Sequence, residues 1–174
     1  MKMNFSAKTI GITVASIFLL FYLVGVYWSL DVDSIDIQHE VTIAATADNV
    51  APVVGYTTTT TLIKVASSIL DKPGGYLSND ALPPSVFLDN MPAWEFGVLE
   101  MVRDMALVLR KDFSRSQSQS LENVHIKKAQ PKFNIDNKSW AMPSAESEYR
   151  KAINSLHKYR DALVGISKAK DENA

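Results

Sequence analysis

An uncharged stretch near the N-terminus constrains this chain more than any other feature. Residues 10–30 contain 21 residues and no charged side chain. A helix of that length spans about 30 Å, which is the thickness of the hydrocarbon core of a bilayer. The stretch therefore predicts a transmembrane helix at residues 10–30, preceded by a short N-terminal tail at residues 1–9, with the lipid bilayer as its partner.

The residues around this stretch predict that the helix is retained and how it is oriented. A cleaved signal peptide has a shorter apolar core that ends in a small-x-small site, whereas Tyr27 and Trp28 occupy the end of this run. An uncleaved signal anchor is therefore favoured over a cleaved signal. Lys2 and Lys8 precede the span and acidic residues follow it. The positive-inside rule then places the N-terminus in the cytoplasm and the body in the periplasm, outside a bacterial inner membrane.

The remaining chain divides into a predicted stalk and a predicted domain. Residues 31–54 are expected to link the anchor to a periplasmic domain at residues 55–174. Polar and apolar residues alternate over residues 31–38, which suggests a short extended piece. The Ala-, Thr- and Val-rich remainder of the stalk fits a strand or a helix, and the pattern does not choose between them.

Hydrophobic periodicity predicts three helices in the domain, near residues 57–70, 92–115 and 145–166. The fold class is therefore mainly α, with one N-terminal transmembrane helix followed by a small helical bundle with long loops. Gly55 and the threonines after it are expected to start the first of the three helices, with a threonine hydroxyl accepting a backbone N–H, and Ser144 is expected to cap the last.

The second helix is expected to be central and well buried. Met101, Met105 and Val108 extend its apolar face beyond the usual width of a helix stripe. Farther along the chain, residues 121–143 show no periodicity. Their apolar side chains, Phe133 and Trp140 among them, are expected to pack against the helices.

The loop at residues 72–91 is rich in proline and glycine but also carries apolar residues. Such a loop is either pinned onto a core or used for binding. The candidate binding residues are Tyr76, Phe87 and Trp94. For Trp94 the alternative is a role as a plug in the core.

Composition excludes several classes of chemistry. The chain has no cysteine, which rules out a disulfide framework, a cysteine-ligated zinc and a thiol nucleophile. Its three histidines lack a second ligand at metal spacing, so no metal and no cofactor is expected. Residues 31–100 are acidic and residues 101–174 are basic. The two parts either complement each other within the fold or the basic part contacts an anionic partner, and neither predicts a nucleic-acid surface.

Paired carboxylates are the remaining catalytic candidates. Glu100 and Asp104 are four residues apart and would share a helix face at about 6 Å, with Glu95 nearby on the same helix. Two such carboxylates can act as acid and base in glycoside hydrolysis. The alternative is a solvated helix face with Arg103 and Arg110 as counter-charges, and this alternative is favoured.

Long motifs within residues 55–166 resemble a family of Gram-negative, membrane-anchored proteins catalogued only as a domain of unknown function. They are KPGGYLSND, LPPSVFLDNMPAWEFGVL, DFSRSQSQS and WAMPSAESEY. The resemblance implies one N-terminal span and a mainly helical body, and it supplies no catalytic or binding residue. Family members extend well beyond the position of Ala174, so the resemblance also raises the expectation of a short member or a missing C-terminal part.

These observations favour a non-enzymatic, membrane-anchored envelope protein that acts through contacts with an envelope protein partner. The alternative is a cell-wall-binding module or a carboxylate-dependent envelope hydrolase.

Overall fold

The computed structural model describes residues 6–113 and 123–165, without the side chains of residues 112 and 113. Within these ranges the chain contains helices and no strand, which confirms the mainly α prediction. The six α-helices of the described residues are α1 (Ala7–Trp28), α2 (Ile37–Asp48), α3 (Tyr56–Asp71), α4 (Asn90–Val108), α5 (Val124–Phe133) and α6 (Ala145–Leu163). A short 3-10 turn covers Ser85–Phe87, and α4 continues as a π-helical turn over Leu109–Phe113.

The main core lies among α3, α4, α5 and α6. Each of these helices contributes fully buried side chains, among them Ile69, Leu99, Ile126, Phe133, Tyr149 and Leu156. Burying a large apolar side chain contributes about 1.5–3 kcal/mol, so this cluster supplies most of the stabilisation of the bundle. Helix α1 stands outside it, and 6% of its most apolar window is buried.

Helices α3, α4 and α6 confirm the three helices predicted from periodicity. The side chain of Ser144 caps α6 by accepting the N–H of Ser147 at 3.3 Å, as predicted. The predicted end of the second helix at residue 115 lies outside the described residues.

The start of α3 at Gly55 is confirmed, but the predicted threonine hydroxyl cap is wrong. Gly55 occupies the capping position, with a φ of +87° that suits glycine, and it makes no side-chain cap. The hydroxyls of Thr59 and Thr61 instead donate to the carbonyls of Gly55 and Thr57, at 2.8 and 2.9 Å. Threonine hydroxyls inside a helix often bond to the preceding turn in this way.

The choice between strand and helix left open in the predicted stalk is resolved as a helix, whereas a helix after residue 121 was not predicted. Residues 37–48, within the predicted stalk, form α2, and Asp36 caps it. Helix α2 packs against α3, where Val41, Ala45 and Tyr56 form a second small cluster. Helix α5 is short and carries Pro131 in its last turn, so tertiary contacts rather than a clear sequence pattern stabilise it.

The expected width of the buried face of α4 is also wrong. Met101 is 72% exposed, and Met105 and Val108 are exposed as well. Helices α3 and α5 both pack against α4, and among the described residues they leave these three side chains partly open to solvent, Met101 most of all. Phe133 is buried as expected, but Trp140 is 75% exposed because it lies in the loop beyond α5.

Candidate functional site

The distal end of α1 contacts the body at the loop between α3 and α4. The indole of Trp28 lies against Gly74, and Gly25 faces Pro84 and Leu88. These five residues are called the anchor junction here. The apolar helix is therefore packed onto the body at its end and is not joined to it only by the connecting chain.

Gly74 is required for this contact. Its φ of +84° lies in the left-handed region, and a Cβ built on it would stand 2.7 Å from Cγ of Trp28. Non-bonded atoms essentially never approach a Cβ that closely, so a side chain at this position would displace the indole. The neighbouring Gly75 also has a positive φ, of +68°, but a Cβ there would meet no atom closer than 3.9 Å.

The carboxylate of Glu95 fixes the loop that carries Gly74. It accepts the backbone N–H groups of Leu77 and Ser78, both at 2.8 Å, and the hydroxyl of Ser78 at 2.5 Å. Lys72 Nζ lies 2.7 Å from the same carboxylate. Three loop residues therefore converge on one side chain of α4.

The Lys72–Glu95 pair is closed off from solvent. The two side chains are 1% and 0% exposed, and Lys72 Nζ also donates to the carbonyl of Gly75 at 2.6 Å. The turn at residues 73–75 brings this carbonyl back over the ammonium group. A buried ion pair persists only when further hydrogen bonds complete it, and both partners here have them.

Aromatic and amide groups attach the same loop to the far side of the bundle. The hydroxyl of Tyr76 donates to the carbonyl of Asn137 at 3.0 Å, and its ring meets the edge of Tyr149 at 5.5 Å between centroids. Burial raises the pKa of Tyr76. The side-chain amide of Asn79 donates to the carbonyl of Ser139 at 3.2 Å.

The structure does not bring the three candidate carboxylates together. Glu95 is buried, whereas Glu100 and Asp104 are on the exposed side of α4. Glu100 forms an ion pair with Arg103. Arg103 also donates to the carbonyls of Phe133 and Ile135, at 2.7 and 2.8 Å, and so caps the end of α5.

The candidate binding residues likewise differ in burial. Tyr76 is buried in the core, whereas Phe87 is exposed and Trp94 is half-buried. Phe87 and Trp94 line a cleft of about 400 Å³ together with Ser29 and Asp31, which follow α1. Sequence reasoning missed Lys72 and Gly74. The one available signal was a lysine directly before a Pro-Gly-Gly turn.

The described ranges contain no group of three or more histidine or acidic side chains placed to hold a metal ion. Asp80, near the ion pair, has a raised pKa because burial, and then the charge of Glu95, disfavours its ionised form.

Comparison with known proteins identifies the family. No curated protein and no solved structure matches the chain. One family matches over residues 1–173, described as an uncharacterised protein conserved in bacteria, DUF2333. This match agrees with the resemblance inferred from the motifs, and it extends that resemblance to the apolar helix. The chain belongs to this bacterial family of uncharacterised proteins.

Proposed function

We propose that this chain is a single-pass inner-membrane protein whose helical body lies in the periplasm and acts through protein contacts rather than catalysis. The observation that carries the proposal is the surface of α1. Its 22 residues have a mean hydropathy of 2.3 in the most apolar window, and the body leaves that surface uncovered. A helix that is apolar all round and uncovered needs an apolar solvent.

The anchor junction supports a retained anchor over a cleaved signal. Cleavage after the apolar run would remove Trp28 and leave Gly74 uncovered. The intact mass of the protein purified from membranes tests this point. A mass that includes Met1 or begins within the first few residues supports retention, whereas a mass that begins after residue 30 contradicts it.

Orientation follows from charge. Lys2 and Lys8 lie before the span, whereas Asp31, Asp33 and Asp36 follow it. A phosphatase fused after Ala174 is expected to be active, because this enzyme folds only outside the cytoplasm. An inactive phosphatase together with an active cytoplasmic reporter at the same site would reverse the assignment.

The carboxylates support a non-enzymatic role. Glu95 is enclosed by donors from the loop, and Glu100 is engaged by Arg103. No specific observation favours the hydrolase alternative. Adding the full chain in detergent to peptidoglycan sacculi tests it directly, and release of soluble fragments that Glu100→Gln abolishes would contradict the proposal.

The surface best suited to a protein partner lies between α3 and α4. Exposed Met101 and Met105 border a groove of about 410 Å³ with Ile37 and Val65. Exposed apolar patches of this kind mark interaction sites, and methionine adapts to varied shapes. We assign the groove to an apolar segment of an envelope protein.

Photo-crosslinking in living cells tests this assignment. A crosslinker at Met101 is expected to give one discrete adduct with an envelope protein, and Met105→Glu is expected to remove it. The control position is Asn154, which is exposed on α6. An adduct at Met101 no stronger than at Asn154, or one formed with a second copy of this chain, would contradict the assignment.

A further inference from the structure

The second half of the loop between α3 and α4 exposes large apolar side chains. Leu82 and Phe87 are each 76% exposed, and Val86 is exposed as well. No charged residue occurs between Asp80 and Asp89. Water solvates such a segment poorly, so we expect its exposed side chains to have apolar surroundings in the working protein.

This segment lies beside α1 and not on the far side of the body. A Cβ at Gly25 would stand 3.5 Å from Cβ of Pro84 and 3.9 Å from Cδ2 of Leu88. Between α1 and the segment runs an apolar groove of about 840 Å³, which Phe18 and Tyr22 line from one side and Phe87 from the other.

The position of the groove along α1 gives its depth. At 1.5 Å per residue, Gly25 lies about 5 Å and Phe18 about 15 Å from Trp28 along the helix axis. If α1 spans the bilayer, Trp28 and Tyr27 lie at the level of the head groups, where such aromatic residues concentrate. The groove then runs from that level to the middle of the hydrocarbon core.

We propose that residues 82–88, called the membrane wedge, insert beside α1 into the bilayer leaflet that contains the C-terminal end of this helix. The groove between the membrane wedge and α1 holds a phospholipid acyl chain. This inference rests on the proposed function, because it requires α1 to span the membrane. A groove lined by the span itself opens to lipid, and lipid tails fill apolar space at that depth. Asp80 and Asp89 flank the wedge, so the recognised group is the apolar tail and not an anionic head group.

The absence of cysteine in the chain allows a clean test with single labels. Leu82→Cys and Phe87→Cys in the full chain each receive an environment-sensitive fluorophore, and the proteins are reconstituted into phosphatidylcholine vesicles. Phospholipids with a nitroxide on the acyl chain then report depth by quenching. Phe18→Cys is the membrane control. Ala47→Cys is the water control, because Ala47 is exposed. Its neighbour Asp48 bonds to Tyr56, at the end of α3 that is remote from the loop.

We expect the labels at residues 82 and 87 to lose fluorescence to a shallow nitroxide, the label at residue 18 to a deep one, and the label at residue 47 to neither. Quenching at residue 18 without quenching at 82 and 87 would overturn the wedge while leaving the membrane span intact. No quenching at residue 18 would overturn the span and the proposed function as well.

The lipid chemistry is tested in the same vesicles. Adding phosphatidylglycerol is expected to leave the quenching at residue 87 unchanged, whereas quenching that appears only with this anionic lipid would overturn the assignment to acyl chains. A second substitution, Phe87→Asp, is expected to reduce quenching of the label at residue 82. Unchanged quenching there would also count against insertion.

Discussion

The loop between α3 and α4 has two halves that are fixed in opposite ways. Residues 72–80 turn inward, and their N–H, hydroxyl and ammonium groups converge on the buried carboxylate of Glu95. Residues 81–88 make no such bonds to the carboxylate and expose apolar side chains beside α1. Both halves have a similar amino-acid composition, with prolines, small residues and a few apolar side chains.

The difference shows that composition alone does not determine whether a loop is structural. What separates the halves is one partner, a glutamate on the following helix that supplies acceptors for buried backbone N–H groups. Such groups are costly to leave unpaired. The inward half therefore holds the outward half, and the anchor junction, in one position.

Removal of the Glu95 charge should have the largest effect. Glu95→Gln leaves Lys72 as an uncompensated buried charge, and breaking such a pair costs about 3–5 kcal/mol. The free energy of unfolding of the full chain in detergent should fall by that amount. In hydrogen exchange, the amides of Leu77 and Ser78 should lose their protection.

The matched control is Glu100→Gln on the same helix. Its ion pair with Arg103 is half-exposed, so the cost should stay within about 1 kcal/mol. Equal losses for the two variants would show that Glu95 has no special role in the loop.

Substitution of Gly74 should have the next largest effect. Gly74→Ala and Gly75→Ala both place a side chain at positive φ, which costs about 1 kcal/mol. Only Gly74→Ala also displaces the indole of Trp28, and overpacking of this kind costs a further 1–3 kcal/mol or so. Unfolding measurements should therefore show a larger loss of stability for Gly74→Ala than for Gly75→Ala. Adding Trp28→Ala to Gly74→Ala should recover part of the difference, and no recovery would mean that the indole is not the obstacle.

A second carboxylate predicts a dependence on pH. Hydrogen bonds from Lys132, and then from Lys151, lower the pKa of Glu148. A group with a lowered pKa in the folded state stabilises the protein above its unfolded pKa of about 4.3 and loses this contribution as the pH falls through the folded pKa. Glu148→Gln should therefore flatten the acid limb of the stability curve. The exposed neighbour Glu146 is the control, and an equal flattening by Glu146→Gln would contradict the assignment.

The smallest effect is expected in the outward half of the loop. Phe87→Ser should change the free energy of unfolding by no more than about 0.5 kcal/mol, because the side chain is exposed. Leu77→Ala, in the inward half, removes a side chain that is 2% exposed and should cost about 2–5 kcal/mol. A large loss from Phe87→Ser in detergent would show that the two halves are not divided as described.

The sequence predicted the parts of the fold that depend on local patterns. The apolar run predicted α1, and helical periodicity predicted α3, α4 and α6 within a few residues. Helix α5 was not predicted because the residue that caps it, Arg103 on α4, lies about thirty residues earlier in the chain. Such a contact leaves no local sequence pattern. Met101 and Met105 were expected to be buried because hydrophobicity alone does not reveal whether a neighbouring element covers a helix face.

The candidate site was harder to predict for the same reason. Glu95 was identified as a notable carboxylate, but its partners lie about twenty residues earlier, and no spacing rule links an acid on a helix to a lysine before a Pro-Gly-Gly turn. Trp28 was noted as a residue at the end of the apolar run, while its contact with Gly74 depends on a backbone conformation that appears only in the folded chain.

The inward half of the loop holds α1 in a fixed position on the body, and this rigidity can be measured. Its most direct test is a distance distribution between two spin labels in the full chain in lipid nanodiscs, one at Leu23 on α1 and one at Asn154 on α6, both exposed. We predict a single narrow distribution that broadens in the Gly74→Ala background and stays narrow with Gly75→Ala. A broad distribution in the otherwise unaltered chain would show instead that α1 is joined to the body only by the connecting chain.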